Sequence, residues 1–141
     1  MIDVNKIIDC FSKVSEMQCE KSPTILILDD PALVNTEKRL CRKVMPDSNI
    51  FVSCSIKEAD EIIQTKQIDL ILMDLFTDHE QEPEVQPFLT KLKKTSAVRI
   101  IGISGTFISH EHAANLDKVL MKPFSIHDLK RVMTNSMLED E

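Results

Sequence analysis

Five short apolar runs constrain this chain more than any other feature. They are Thr24–Leu28, Ile50–Cys54, Ile68–Asp74, Val98–Ile103 and Lys118–Met121. Each is too short for a buried helix and is bounded by polar residues. Runs of that kind read as strands buried on both faces of a parallel sheet. Between them the apolar period changes to that of a helix. Leu33, Leu40, Cys41 and Val44 form one stripe within 32–44. Ser55 caps a second helix with Glu58 at the reciprocal position, and Ala59, Ile62 and Ile63 form its inner face. Residues 87–95 carry Phe88, Leu89 and Leu92 inward, after an acidic loop over 77–86. A short helix covers 110–115. Ser125 caps the last helix, with Asp128 three residues on and Ile126, Leu129, Val132 and Met133 facing the core. Strands that alternate with helices predict an α/β fold with a doubly wound parallel sheet and right-handed crossovers.

Residues 1–22 read as an appendage to a domain over 23–141. Val4, Ile7, Ile8, Phe11 and Val14 make one stripe of an amphipathic helix of about four turns. Ser22-Pro23 ends it. That helix either packs on its own domain or pairs with a second copy, since the spacing also fits a and d positions.

Composition removes several functions. Gly102 and Gly105 are the only glycines in 141 residues. Three glycines are needed for a dinucleotide turn, and two glycines five apart for a P-loop, so both are excluded. The formal net charge is −6, with no Tyr and no Trp. That balance argues against nucleic acid, which selects basic surfaces and stacking rings. No apolar run approaches the roughly 18 residues that span a bilayer. The start Met1-Ile2-Asp3 is not the basic opening of a signal peptide, so a cytoplasmic protein without a membrane partner is expected. Cys10, Cys19, Cys41 and Cys54 contain no CxxC pair and read as reduced packing residues. His110 and His112, two apart on a short helix, face different ways and do not make a metal pair.

In a doubly wound sheet the ligand site lies beyond the carboxyl ends of the strands. The polar residues at those ends are Asp29 and Asp30, Asp74, Ser104 and Lys122. Crowded carboxylates need a counter-charge. Mg²⁺ takes oxygen ligands from one or two carboxylates and keeps its waters. A cation, an ammonium and a hydroxyl around one carboxylate are the parts that stabilise a phosphoryl group in transfer. A carboxylate can itself be the nucleophile and form an aspartyl phosphate.

Leu28-Asp29-Asp30, Met73-Asp74, Ile103-Ser104-Gly105 and Lys122-Pro123-Phe124 together resemble the receiver domain of two-component response regulators. The resemblance covers about Pro23 to Leu138. It implies the flavodoxin-like strand order 2-1-3-4-5. It implies Asp74 as phosphoacceptor, and Mg²⁺ on Asp30, Asp29, Asp74 and the Phe76 carbonyl. It implies Ser104 as a switch hydroxyl, and Lys122 as partner of the carboxylate and then of the phosphoryl group. It also implies a cis Lys122-Pro123 bond. The partners so implied are a histidine kinase or histidine phosphotransfer protein upstream and a protein target downstream. Such a domain is a phosphoacceptor rather than an enzyme. Two other readings stay open: an adaptor or dimerisation module that works without phosphorylation, and a Mg²⁺-dependent phosphatase using Asp78 as its second carboxylate.

The sequence departs from that pattern in places. The stretch after Asp74 has no Gly and carries Asp78, Glu80, Glu82 and Glu84. Phe76, two after the acceptor, is placed to shield a phosphoryl group from water, which predicts a long-lived state. Along with Thr106 it occupies a position that sets phosphoryl loss in the family. Val119 stands where many members carry an aromatic switch. The interval from Ser104 to Lys122 is short, so the fourth helix of the domain is expected to be trimmed.

Overall fold

The computed structural model describes residues 22–75, 82–95, 97–105, 108 and 110–138. The stripe of residues 1–21, and Phe76, Asp78, Thr106 and the rest of 76–81, lie outside them. In chain order the elements are β1 (Thr24–Leu28), α1 (Val34–Val44), β2 (Asn49–Ser53), α2 (Ile56–Thr65) and β3 (Leu70–Asp74). Then come α3 (Glu82–Thr95), β4 (Arg99–Ser104), α4 (His110–Ala113), β5 (Lys118–Met121) and α5 (Ile126–Leu138).

The strands form one parallel sheet in the order β2-β1-β3-β4-β5. This is the flavodoxin-like order expected from the resemblance. Strand period sorts the core into two layers. Ile25 and Ile27 of β1 join Leu70 and Leu72 of β3 and the inner faces of α1 and α5. Leu26 and Leu28 join Ile71 and Met73, α2 and α3. Each of these side chains is almost wholly buried. Burial of each contributes about 1.5–3 kcal/mol. The uniform apolarity of the central runs is thus the cost of having helices on both faces.

The caps follow the sequence closely. The Glu58 amide donates to Ser55 Oγ at 3.1 Å. At α5 the box is reciprocal: Asp128 N donates to Ser125 Oγ, and Ser125 N to an Asp128 carboxylate oxygen, both at 3.1 Å. One boundary and one inner face differ from expectation. Helix α3 begins at Glu82 rather than Pro87, so that Pro87 is internal. Pro83 fits a first turn, where amides have no helical acceptor, and acidic residues there complement the helix dipole. In α1, Val34, Glu37 and Cys41 are buried and the expected Leu40 and Val44 pack half-buried against the same core, while Leu33 is exposed. Helix α4 is four residues long, in keeping with a trimmed helix. Val119 and Met121 on the edge strand β5 are exposed. Among the described residues no helix is long and apolar enough to cross a membrane.

Candidate functional site

The site is assembled by strand ends. Asp29 follows β1, Asp74 closes β3, Ser104 closes β4, and Lys122 follows β5. The order of strands reverses direction between β1 and β3, which opens a crevice beside Asp29 and Asp74. Sheet register holds these residues level. Asp74 pairs with Ile103, Ser104 pairs with Met121, and the Lys122 amide donates to the Ser104 carbonyl at 2.8 Å.

Lys122 joins the carboxylates. Its Nζ donates to Asp74 Oδ2 at 3.0 Å and to Asp29 Oδ2 at 3.2 Å. Asp29 is fully buried, and its Oδ1 accepts the Asp30 amide at 2.6 Å. Asp30 is half-buried, and its Oδ1 accepts the Ala32 amide at 2.8 Å. Its carbonyl accepts the Leu33 and Val34 amides. Asp30 therefore shapes the turn into α1 while keeping its carboxylate at the rim. Ser104 is buried at the end of β4. The Lys122-Pro123 peptide is cis. The structure thus gathers Asp29, Asp30, Asp74, Ser104 and Lys122, whereas Phe76 lies outside the described residues.

Burial raises the Asp29 carboxyl above the ordinary aspartate value, and the nearby Asp74 adds to the shift. Bonds from Glu37 and from the Asp30 amide oppose it. Burial alone would lower Lys122, but the Asp74 and Asp29 carboxylates outweigh it and hold the ammonium above the usual lysine value. One ammonium faces more than one carboxylate, so the site keeps an excess of negative charge.

A further acidic residue belongs to this cluster. Glu37 of α1 is buried, and its carboxyl faces Asp29. Burial, followed by the contact with Asp29, pushes it up to about 9. Neither of its oxygens has a donor among the described residues. Burial and the facing Asp29 carboxyl both favour the protonated form of Glu37. The sequence carried a signal for it. Val34, Glu37, Cys41 and Val44 are spaced three, four and three apart, so Glu37 sits on an apolar stripe. The Cys41 thiol beside it is pushed up to about 12, mostly by burial. Cys41 is therefore a packing residue rather than a nucleophile.

Among the described residues no three His, Cys, Asp or Glu side chains form a ready cage for a metal. His110 is exposed and His112 half-buried on α4. The donor set at the strand ends nevertheless suits a hard cation, being all oxygen and under-neutralised.

No family model and no curated protein matches the chain. Solved structures do. A receiver domain from Methylobacillus flagellatus aligns with a TM-score of 0.70 at 19% identity, covering 81% of this chain and 98% of that one. This chain has the receiver fold. A response regulator from Thermotoga maritima gives a TM-score of 0.68 at 16% identity, over 82% of this chain and 97% of its own. A receiver domain from Methanospirillum hungatei gives 0.68 at 20%, over 82% and 93%. The receiver fold therefore accounts for β1 to α5 of this chain. At these identities the likeness fixes the architecture, and chemistry has to be argued from the residues.

Proposed function

We propose that this receiver domain accepts a phosphoryl group on Asp74 and passes the signal on through protein contacts. The observation that carries the reading is the Lys122 ammonium set between Asp74 and Asp29 at the switch point. Asp74 is the partly accessible member of that pair, its side chain 11% exposed against 0% for Asp29. It can therefore meet a donor while Asp29 stays behind it. Mg²⁺ would be held by Asp29, Asp30 and Asp74, with the Phe76 carbonyl as a further ligand. When bound it neutralises charge on the phosphoryl oxygens.

In the reaction an Asp74 carboxylate oxygen attacks phosphorus as the bond from phosphorus to the donor nitrogen breaks. The leaving electron pair stays on the donor imidazole, which is released as neutral histidine once its charge is balanced by a proton. Lys122, already on Asp74 Oδ2, is placed to follow charge onto the phosphoryl oxygens. Ser104 is placed at the next strand end to donate its hydroxyl to them. The added charge then biases the surface around the strand ends between two arrangements.

The donor is proposed to be a histidine kinase or histidine phosphotransfer protein. Support comes from an apolar cavity of about 410 Å³ beside Lys122, lined by Leu33, Leu40, Pro123 and Phe124. Leu33 is 40% exposed there. A helix carrying the phosphohistidine could bury that apolar surface next to Asp74. Leu33→Asp is expected to slow transfer from a phosphotransfer domain by about tenfold or more, the value of roughly 1.4 kcal/mol of contact. Uptake from acetyl phosphate should be unchanged. Equal loss with both donors would place Leu33 in the chemistry rather than in docking.

Intact mass after incubation with acetyl phosphate and Mg²⁺ tests the main reading. One added phosphoryl group on the wild type, and none on Asp74→Asn, is expected. A folded wild type that takes no phosphoryl group from small or protein donors would favour the adaptor reading.

A further inference from the structure

We propose that Glu37 is a positioning residue of the cation site, the acceptor to which Lys122 turns when Asp29 ligates a divalent cation. The proposal rests on the reading that the strand-end carboxylates hold Mg²⁺. Asp29 is fully buried and offers a cation no oxygen that lacks a donor. Its Oδ1 accepts the Asp30 amide at 2.6 Å, and its Oδ2 accepts Lys122 Nζ at 3.2 Å. A divalent cation on Oδ2 and the ammonium already there repel each other. Ligation by Asp29 therefore pushes Lys122 off that oxygen.

The released donor has a buried acceptor beside it. Glu37 of α1 is only 5% exposed, and neither of its oxygens has a donor among the described residues. Its carboxyl faces Asp29, and it lines the same cavity of about 410 Å³ as Lys122. That space lets the flexible four-carbon lysine stem turn. A carboxyl presents an acceptor oxygen whether ionised or not, so the role does not depend on its charge. The other buried residues of α1, Val34 and Cys41, pack as apolar groups, so packing alone calls for no carboxyl at position 37. A buried acceptor without a donor is costly. The cation-free domain carries that cost, and Lys122 relieves it in the cation-bound one. Glu37 thus favours the bound arrangement.

Calorimetric titration of the full chain with MgCl₂, at one fixed pH, tests this. Glu37→Leu should weaken Mg²⁺ binding by about three- to tenfold, the worth of one hydrogen bond. Glu37→Gln keeps an acceptor oxygen and should bind within about twofold of the wild type. In a Lys122→Met background Glu37→Leu should make no further difference, because no ammonium is left to relocate. Equal losses in Glu37→Leu and Glu37→Gln would show that Glu37 acts through charge alone, and would overturn the proposal. So would the same loss in the Lys122→Met background, or wild-type affinity in Glu37→Leu. Should Lys122→Met fail to fold, the Leu and Gln variants decide by themselves. A wild type that binds no divalent cation would overturn this proposal and the cation reading together, whereas binding indifferent to Glu37 would overturn this proposal alone.

Discussion

Glu37→Gln is expected to remove most of the pH dependence of stability between pH 5 and 8, with divalent cations chelated. The sign follows from proton counts. In the unfolded chain Glu37 titrates at its ordinary value of 4.5, and in the folded domain at about 9. Between those values the folded state holds one proton more. Stability from this group is then intact below pH 4.5 and falls as pH rises toward 9, by up to about 1.4 kcal/mol per pH unit. Burial raises Asp29 in the same direction, so some slope should persist in the variant. Gln keeps the shape of the side chain without a titrating group. Glu37→Leu removes the titrating carboxyl altogether and should flatten the same slope. Urea unfolding of the three proteins at several pH values measures both effects. A slope in Glu37→Gln equal to that of the wild type would show that Glu37 is ionised in the folded state.

Lys122→Met is the second large change expected. Its Nζ is the shared donor to Asp29 and Asp74. Asp29 is fully buried and the Lys122 side chain is 25% exposed. Removing one partner of a buried pair leaves an uncompensated charge, at about 3–5 kcal/mol. The partial exposure of Lys122 puts the expected loss at the low end, about 3 kcal/mol at pH 8 in chelator. Two features distinguish this from a packing defect. The deficit should shrink as pH falls, because protonated carboxyls need no counter-charge. It should also shrink when Mg²⁺ is added, since a cation that binds the folded state stabilises it by mass action. A variant as stable as the wild type, or a deficit indifferent to pH and Mg²⁺, would mean that the carboxylates find their compensation elsewhere.

How far the sequence foretold this molecule depended on which force set each feature. Central strands were plain because burial on both faces demands unbroken apolar runs, as in Ile25 to Leu28. The site residues were plain for the opposite reason. Asp29, Asp74, Ser104 and Lys122 interrupt those runs at the ends of strands, where the fold places its crevice. Capping residues marked α2 and α5, since Ser55 and Ser125 bond the amides that the helix leaves free. The start of α3 was hidden by two prolines. Pro87 reads as a first-turn residue, but Pro83 already fills that role. Glu37 was hidden by its charge. A glutamate on a helix is normally solvated, and its burial depends on Asp29, which is near it only through the fold.

The central claim is that Asp74 is the atom-level acceptor, and it can be read directly. The wild type would be treated with acetyl phosphate and Mg²⁺, reduced with borohydride, and mapped by peptide mass spectrometry. Reduction converts an aspartyl phosphate to homoserine and leaves a free carboxylate intact. Homoserine at position 74, dependent on Mg²⁺ and absent without phosphodonor, is the result this account predicts. Homoserine at Asp29, Asp30 or Glu37 instead, or at no residue of a folded protein that a histidine phosphotransfer domain also fails to phosphorylate, would contradict it.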